Sequence, residues 1–136
     1  MKVSVIIPTY NAGDALTGLL DRLWKQTVKP YEIIIIDSSS TDGTLKTAQE
    51  NGAIGISIRQ EEFDHAGTRN RAAQTASGDV LVFMTQDALP VNEHVIERLT
   101  ASLLKDDVVY AYGRQLPYPT AGLLEQVSRA YNYPAH

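Results

Sequence analysis

Short runs of β-branched and other apolar residues alternate along this chain with stretches that have the spacing of amphipathic helices. We predict five β-strands from the apolar runs, at residues 3–7, 33–36, 53–58, 80–84 and 108–112. The helical spacing predicts helices at residues 14–26, 43–50, 66–76, 93–104 and 123–131, the last ended by Pro134. Because the first four strands are each followed by a helix, the order predicts an α/β fold with a three-layer, doubly wound and mostly parallel sheet.

The length of the chain favours a single domain. It has 136 residues, of which 43% are hydrophobic, and this is enough to bury one core of ordinary size. After Gly113 the alternation loosens and no closing strand follows, which we interpret as a domain that is incomplete at its C-terminus. We therefore expect one domain over residues 1–136.

Charge and composition exclude several function classes. The formal net charge is −4 and Lys and Arg are not clustered, which argues against a nucleic-acid partner. The chain has no cysteine, so disulfides and thiolate metal sites are excluded and a reducing compartment is permitted. The first apolar run is too short for a signal peptide, and no later run has membrane-spanning length. We expect a cytoplasmic protein.

Ligands of open parallel sheets bind beyond the carboxyl ends of the strands, and three of these ends are polar here. The first strand is followed by Pro8, Thr9, Tyr10 and Asn11. The ring of Tyr10 could stack on a planar base, and Thr9 and Asn11 could hydrogen-bond to it.

The second and fourth strands each end near a carboxylate. Asp37 follows the second strand and could accept a hydrogen bond from an imide N–H, while Asp42 precedes the next helix as a candidate cap. Thr85, Gln86 and Asp87 follow the fourth strand. A carboxylate beside a nucleotide diphosphate suits Mg²⁺ or Mn²⁺, which prefer oxygen ligands.

Ordinary turn and surface chemistry offers a simpler interpretation of each of these residues taken singly. Asp37 could be a solvated strand end, and the segment 64–71 could be a helix start with a basic face, in which His65 is a surface residue. Arg69 could instead bind a phosphate, which a guanidinium matches well. Glu93, His94 and Glu97 have the spacing of a solvated helix face. It is the joint placement of these polar residues at strand ends that favours a site.

Several segments together resemble the catalytic domain of glycosyltransferase family 2, which has the GT-A fold. They are VSVIIPTYNAGDALTGLLDRLWKQT, EIIIIDSSSTDGT, AGTRNRAAQTASGD and VLVFMTQDALP, and they run in order from residue 3 to about residue 90. The later segment YGRQLPYPTAGLLEQVSRAYNYP is similar to the rhamnosyltransferase branch. The resemblance implies an inverting transferase that moves a sugar from a nucleotide-diphosphate sugar to an acceptor, usually in the synthesis of a cell-surface polysaccharide.

The family pattern also implies roles for individual residues. It places Pro8 and Tyr10 around the base, Asp37 on the imide edge of the base, and Arg69 near the nucleotide. The other residues that we assign to nucleotide binding are Thr9, Asn11 and Gln86.

Two positions depart from the family pattern. The family usually has a second acidic residue after Asp37, and here it is Ser38. The usual Asp-x-Asp after the fourth strand is Thr85-Gln86-Asp87, so the resemblance implies Asp87 as the retained ligand of a divalent cation, Mn²⁺ or Mg²⁺. Thr85 or Gln86 could replace the missing carboxylate by hydrogen bonding.

The resemblance also implies how the site divides. The nucleotide-sugar part would cover about residues 1–113, and the acceptor side would begin at about 114–136. The catalytic base is expected beyond residue 136, so we assign none and expect no measurable transferase activity from residues 1–136 alone. The sugar of the donor would be linked to dTDP, UDP or GDP, and the acceptor would be a saccharide or lipid-linked saccharide. A lipid-linked acceptor is compatible with peripheral association of the full-length protein with the inner face of the membrane.

Two alternatives from other classes stay open at this point. The chain could be a nucleotide-binding or regulatory α/β module in which Asp37 or Asp87 accepts a phosphoryl group. That class requires clustered acids and a lysine after a later strand, whereas Lys105 falls in a helical region. The chain could also be a non-catalytic partner that binds the donor without transferring the sugar.

Overall fold

The computed structural model describes residues 1–132 and contains a four-stranded sheet in which all strands are parallel. The strands are β1 Val3–Thr9, β2 Glu32–Asp37, β3 Ile54–Ser57 and β4 Val80–Phe83, in the order β3-β2-β1-β4. The helices are α1 Ala15–Trp24, α2 Thr44–Glu50, α3 His65–Thr75, α4 Val95–Ser102 and α5 Leu123–Asn132, with a 3-10 turn at Gln60–Glu62. Pro134, the predicted end of the last helix, lies outside the described residues.

The sheet is covered by helices on both faces, which confirms the doubly wound, three-layer prediction. On one face Val5, Ile7 and Ile35 pack in a cluster with the buried leucines of α1. On the other face Ile6 and Ile34 pack with Ala72 of α3. Because successive side chains of a strand point to opposite faces, strands buried on both faces are apolar at nearly every position, and the buried Ser4 of β1 donates its hydroxyl to Glu32. This explains the continuous apolar runs of β1 and β2.

The prediction of a fifth strand over residues 108–112 is wrong. The structure gives these residues no regular secondary structure, and Val109, Tyr110 and Tyr112 are largely exposed. A strand requires hydrogen bonds to a neighbouring strand, and β propensity alone does not supply them. Residues 108–112 pair with no strand in the described part of the chain.

The last helix, α5, has no buried residue. Its exposed apolar side chains include Leu123, Leu124 and Val127. Within residues 1–132, no helix combines the length and the apolar composition needed to cross a bilayer.

The strand order places the topological switch point between β1 and β4. The chain adds β2 and then β3 on one side of β1, and α3 then carries it to β4 on the other side. Crossover connections leave in opposite directions at such a point, so a crevice opens beyond the carboxyl ends of the two strands. A binding site is therefore expected beyond Thr9 and Phe83.

Two glycine-to-alanine substitutions are expected to change stability in opposite directions. A Cβ at Gly78 would lie 2.7 Å from the main-chain nitrogen of Ser4, so Gly78→Ala must displace β1 and should lower the free energy of unfolding by about 1–3 kcal/mol. Gly18 is exposed in α1, where a Cβ would meet nothing within 4 Å. Gly18→Ala should therefore raise the free energy by about 0.5–1 kcal/mol. Urea unfolding measures both changes, and equal effects would contradict the packing at Gly78.

Candidate functional site

A cleft of about 550 Å³ opens at the switch point between β1 and β4, a size typical of small-molecule sites. Its lining comes from the ends of β1, β2 and β4 and from the segment that leads into α3. The lining residues are Pro8, Thr9, Tyr10, Ser38, Gln60, Phe63, His65, Arg69, Thr85 and Gln86.

The loop after β1 is hydrogen-bonded to the loop after β2. The Asn11 main-chain N–H donates to Ser40 Oγ at 2.8 Å, and Asn11 Oδ1 accepts from the Thr41 N–H at 2.9 Å. Asn11 adopts a positive φ of 44°, a conformation that asparagine tolerates better than most residues. These bonds fix the backbone that carries Tyr10, whose side chain is 44% exposed at the cleft.

The Asp37 carboxylate hydrogen-bonds both to the end of β1 and to the loop after β2. Its side chain is only 2% exposed, and Oδ1 accepts from Thr9 Oγ1 at 2.7 Å and from Ser40 Oγ at 2.5 Å. Its other oxygen, Oδ2, accepts from the Ser40 N–H at 2.9 Å. A carboxylate has about four acceptor sites, so Oδ2 retains capacity for one more donor.

Asp42 fixes the start of α2 and also contacts the first loop. Oδ1 accepts from the Thr44 hydroxyl and N–H, and Oδ2 accepts from the Gly13 N–H at 2.9 Å. The hydrogen bond from the Thr44 side chain, with help from these main-chain donors, lowers the pKa of Asp42 below its ordinary value. Since the folded-state pKa is lowered, the resulting stability is present above the unfolded-state value and is lost as the pH falls through the folded-state value.

The turn after β4 carries Gln86 and Asp87. The Ala88 N–H donates to the Thr85 carbonyl at 3.2 Å, which closes the turn around these two residues. The Gln86 side chain bonds to the Tyr10 main chain, accepting from its N–H at 2.8 Å and donating to its carbonyl at 3.1 Å. Asp87 is exposed, and its main-chain carbonyl accepts from the Tyr118 hydroxyl.

Part of the cleft lining comes from the segment before α3 and from the first turns of that helix. Asp64 caps α3 by accepting from the N–H groups of Ala66 and Gly67, so its side chain occupies these two donors of the helix end. The rings of Phe63 and His65 meet edge to face, with centroids 5.1 Å apart. Arg69 donates through Nη1 to the His65 carbonyl at 2.8 Å, which leaves its other N–H groups for a ligand.

The structure brings most of the sequence-predicted site residues to this one cleft. Five of them line it, namely Pro8, Thr9, Tyr10, Arg69 and Gln86. Asn11 lies in the loop after β1, Asp37 ends β2 and bonds to the loop that follows it, and Asp87 follows Gln86 in the same turn.

Gln60 and Phe63 are not predicted as site residues from the sequence, and His65 is predicted only as a surface residue, yet all three line the cleft. All three follow β3, whose carboxyl end lies at the same edge of the sheet as those of β1 and β4. The sequence signal for these three residues is their position just after a parallel strand, and this signal is faint because the apolar pattern of β3 is weak.

The residues present fit a divalent cation held by a single protein carboxylate. No group of three acidic, histidine or cysteine side chains within residues 1–132 could enclose a metal ion. The Asp87 carboxylate is exposed and has no protein hydrogen-bond partner in the part of the chain that the structure describes. Mg²⁺ is commonly held by one or two carboxylates together with substrate phosphates and water, and this donor set matches that pattern.

The fold is similar to those of solved glycosyltransferases. S. aureus TarS 1-349 in complex with UDP-GlcNAc has a TM-score of 0.62 and 30% identity, over 76% of this chain and 31% of that one. The mannosyltransferase PcManGT from Pyrobaculum calidifontis in complex with GDP-Man and Mn²⁺ has a TM-score of 0.68 and 27% identity, over 79% and 33%. This similarity confirms the expected GT-A fold class.

Two curated relatives are similar over nearly the whole chain. The O-antigen chain rhamnosyltransferase RfbN of Salmonella typhimurium is 40% identical over 98% of this chain, and WbaN of Salmonella anatum is 41% identical over 96%. The chain spans about two fifths of the length of these relatives, 43% and 42%. The family model for glycosyl transferase family 2 matches residues 4–134. The chain therefore belongs to glycosyl transferase family 2.

Proposed function

We propose that this chain forms the donor-binding part of an inverting glycosyltransferase that transfers a sugar of the rhamnose type from a nucleotide diphosphate. The observation that carries the proposal is the cleft at the β1–β4 switch point, which is lined by an exposed aromatic ring, an arginine and the turn before Asp87. In the proposal, the cleft offers a surface for a base and a cation for a phosphate, and the adjoining turn offers the Asp87 carboxylate for a metal ion.

The names of the relatives support the proposed donor and acceptor classes. RfbN and WbaN are named as O-antigen chain rhamnosyltransferases, and the structural neighbours hold UDP-GlcNAc and GDP-Man. We propose a UDP-, dTDP- or GDP-linked donor and a saccharide or lipid-linked saccharide acceptor. We also propose that the reaction takes place in the cytoplasm, at the inner face of the membrane where a lipid-linked acceptor is used.

In the proposed reaction, the residues of the cleft act on the donor. The Tyr10 ring stacks on the base, and the available N–H groups of Arg69 bind phosphate oxygens. A divalent cation held by Asp87 supplies, when bound, positive charge that stabilises the departing diphosphate. Asp37 holds the end of β1 at Thr9 and the loop after β2 at Ser40, and its remaining acceptor site on Oδ2 is offered to the imide of the base. The acceptor hydroxyl must lose a proton, and we assign no base within residues 1–132.

The surroundings of Asp37 argue against a phosphoacceptor module. That class clusters acidic side chains around the acceptor, whereas the partners of the Asp37 carboxylate are the hydroxyl of Thr9 and the hydroxyl and N–H of Ser40. Asp87 is exposed but has no acidic cluster around it among the described residues.

Tyr10→Ala is expected to weaken nucleotide binding by about 1–3 kcal/mol, because it removes the ring on which the base stacks. A loss should occur both with and without Mn²⁺, since the base does not touch the metal. Calorimetric titration with UDP, dTDP and GDP measures this change. Tyr112→Ala is the matched control because Tyr112 is 79% exposed and does not line the cleft. A loss that occurs only in the presence of Mn²⁺ would contradict the stacking role.

A further inference from the structure

We infer that Gln86 is a positioning residue that couples the base side of the cleft to its metal side. The Gln86 side chain is the structural link between the main chain of Tyr10 and the turn that presents Asp87. The inference rests on the proposed function, since it requires that a nucleotide diphosphate occupies both sides of the cleft.

The Gln86 side chain bonds to Tyr10 just beyond the point where main-chain hydrogen bonding between β1 and β4 ends. The last bond of this ladder runs from the Met84 N–H to the Ile6 carbonyl at 3.0 Å. Along a strand between two neighbours, the main-chain N–H and C=O groups of successive residues point alternately to one neighbour and to the other. The Thr9 carbonyl accepts from the Ser38 N–H, so Thr9 points toward β2. Pro8 is therefore the next β1 residue to face β4, and it has no N–H to donate. Without another contact, the two strand ends would separate at the cleft.

Gln86 replaces the missing ladder bonds with its side chain. Its amide meets the Tyr10 peptide groups at two points, with Oε1 accepting from the N–H and Nε2 donating to the carbonyl. Two such bonds fix both the distance and the orientation of the Tyr10 backbone relative to the turn after β4. No charged side chain can make both contacts, because a carboxylate cannot donate and an ammonium cannot accept.

The same contact positions Asp87. Gln86 and Asp87 are the two central residues of the turn closed by the Ala88 N–H and the Thr85 carbonyl. A shift of the Tyr10 backbone is therefore passed through the Gln86 amide to the peptide that carries the Asp87 carboxylate. Ordering of Tyr10 by a stacked base should consequently favour the position of Asp87 that suits the metal, and the reverse should hold equally.

A double-mutant cycle tests the coupling directly. The dissociation constant of the tightest-binding of UDP, dTDP and GDP is measured in Mn²⁺ for the chain, Tyr10→Ala, Asp87→Asn and the double variant. The cycle is then repeated with Gln86→Met, which keeps the side-chain length but removes both hydrogen bonds. We expect the two substitutions to be non-additive by about fivefold in the original chain, as for residues that share a hydrogen-bond network, and additive with Gln86→Met.

The control cycle uses Gln74→Met, which makes the same chemical change on the exposed side of α3, outside the cleft. It should retain the fivefold coupling. If Gln86→Met fails to fold, Gln86→Glu takes its place. That variant keeps an acceptor for the Tyr10 N–H but loses the donor to the carbonyl, so the coupling should fall toward twofold.

Three outcomes are distinguishable. Loss of coupling with Gln86→Met, or its decrease with Gln86→Glu, supports the inference. Equal coupling with and without the Gln86 amide overturns it, even where overall affinity falls, because a purely structural role weakens binding without changing additivity. Absence of binding of all three nucleotides to the unsubstituted chain overturns the proposed function, and the inference with it.

Discussion

Asp87→Asn is expected to abolish the Mn²⁺ dependence of nucleotide diphosphate binding and to leave nucleoside binding nearly unchanged. The substitution removes the charge of the single exposed carboxylate in the turn after β4 and keeps its shape. Unit charges 4 Å apart at an effective dielectric constant of 20 interact by about 4 kcal/mol, so even after solvation offsets we expect a loss on the order of 100-fold in metal-dependent affinity. Calorimetry at several Mn²⁺ concentrations measures the effect.

Two further variants make this result specific. Asp106→Asn removes the same charge from an exposed position that does not line the cleft, and it should leave the Mn²⁺ enhancement intact. Thr85→Asp restores the carboxylate usual in the family and should tighten the metal through added Coulombic attraction. If Asp87→Asn retains the full Mn²⁺ enhancement, Asp87 is a solvated turn residue and the metal assignment is wrong.

Asp37→Ala is expected to lower both stability and nucleotide affinity, because one buried carboxylate orders two loops of the site. Thr9 Oγ1, Ser40 Oγ and the Ser40 N–H would lose their acceptor. Each buried polar group left unpaired costs about 1–3 kcal/mol, so urea unfolding should show a loss of several kcal/mol. Nucleotide binding should weaken both with and without Mn²⁺.

Asp37→Asn separates a contact with the base from a purely structural role. If Asp37 Oδ2 accepts the imide N–H of uracil or thymine, the unsubstituted chain should prefer UDP or dTDP over CDP, which has no such N–H. A hydrogen bond to a charged group is worth about 1.5–3 kcal/mol, so the preference should be about 10- to 100-fold and should largely disappear in Asp37→Asn. Ser40→Ala is the control, because it removes one partner of Asp37 and keeps the carboxylate. An unchanged base preference in Asp37→Asn would restrict Asp37 to ordering the loops.

The architecture could be predicted from the sequence where local pattern and tertiary contact agree. The apolar run of residues 33–36 lies within β2, and the leucines at positions 16, 19, 20 and 23 form the buried stripe of α1. Residues 108–112 have the same β-branched and aromatic character but form no strand, because pairing depends on a neighbour that local sequence does not reveal. Helix ends differ from the prediction by a few residues, and α4 covers Val95–Ser102 rather than residues 93–104.

The position of the candidate cleft could be predicted from the sequence, but its internal hydrogen bonding could not. The polar strand ends indicated Tyr10, Asp37 and Gln86 because the carboxyl ends of parallel strands meet at one edge of the sheet. The sequence could not indicate that Gln86 bonds to the Tyr10 main chain or that Asp37 is buried beneath two loops. Both facts depend on contacts between residues far apart in the chain, 28 positions for Thr9 and Asp37 and 76 positions for Tyr10 and Gln86.

Calorimetric titration of the unsubstituted chain with UDP, dTDP and GDP, each with and without Mn²⁺, tests the central claim most directly. The account predicts that at least one of these nucleotides binds with a stoichiometry of one to one, that Mn²⁺ tightens the binding, and that Tyr10→Ala weakens it. Absence of binding by all three, or binding that neither Mn²⁺ nor Tyr10→Ala changes, would contradict the assignment of the β1–β4 cleft as a donor site.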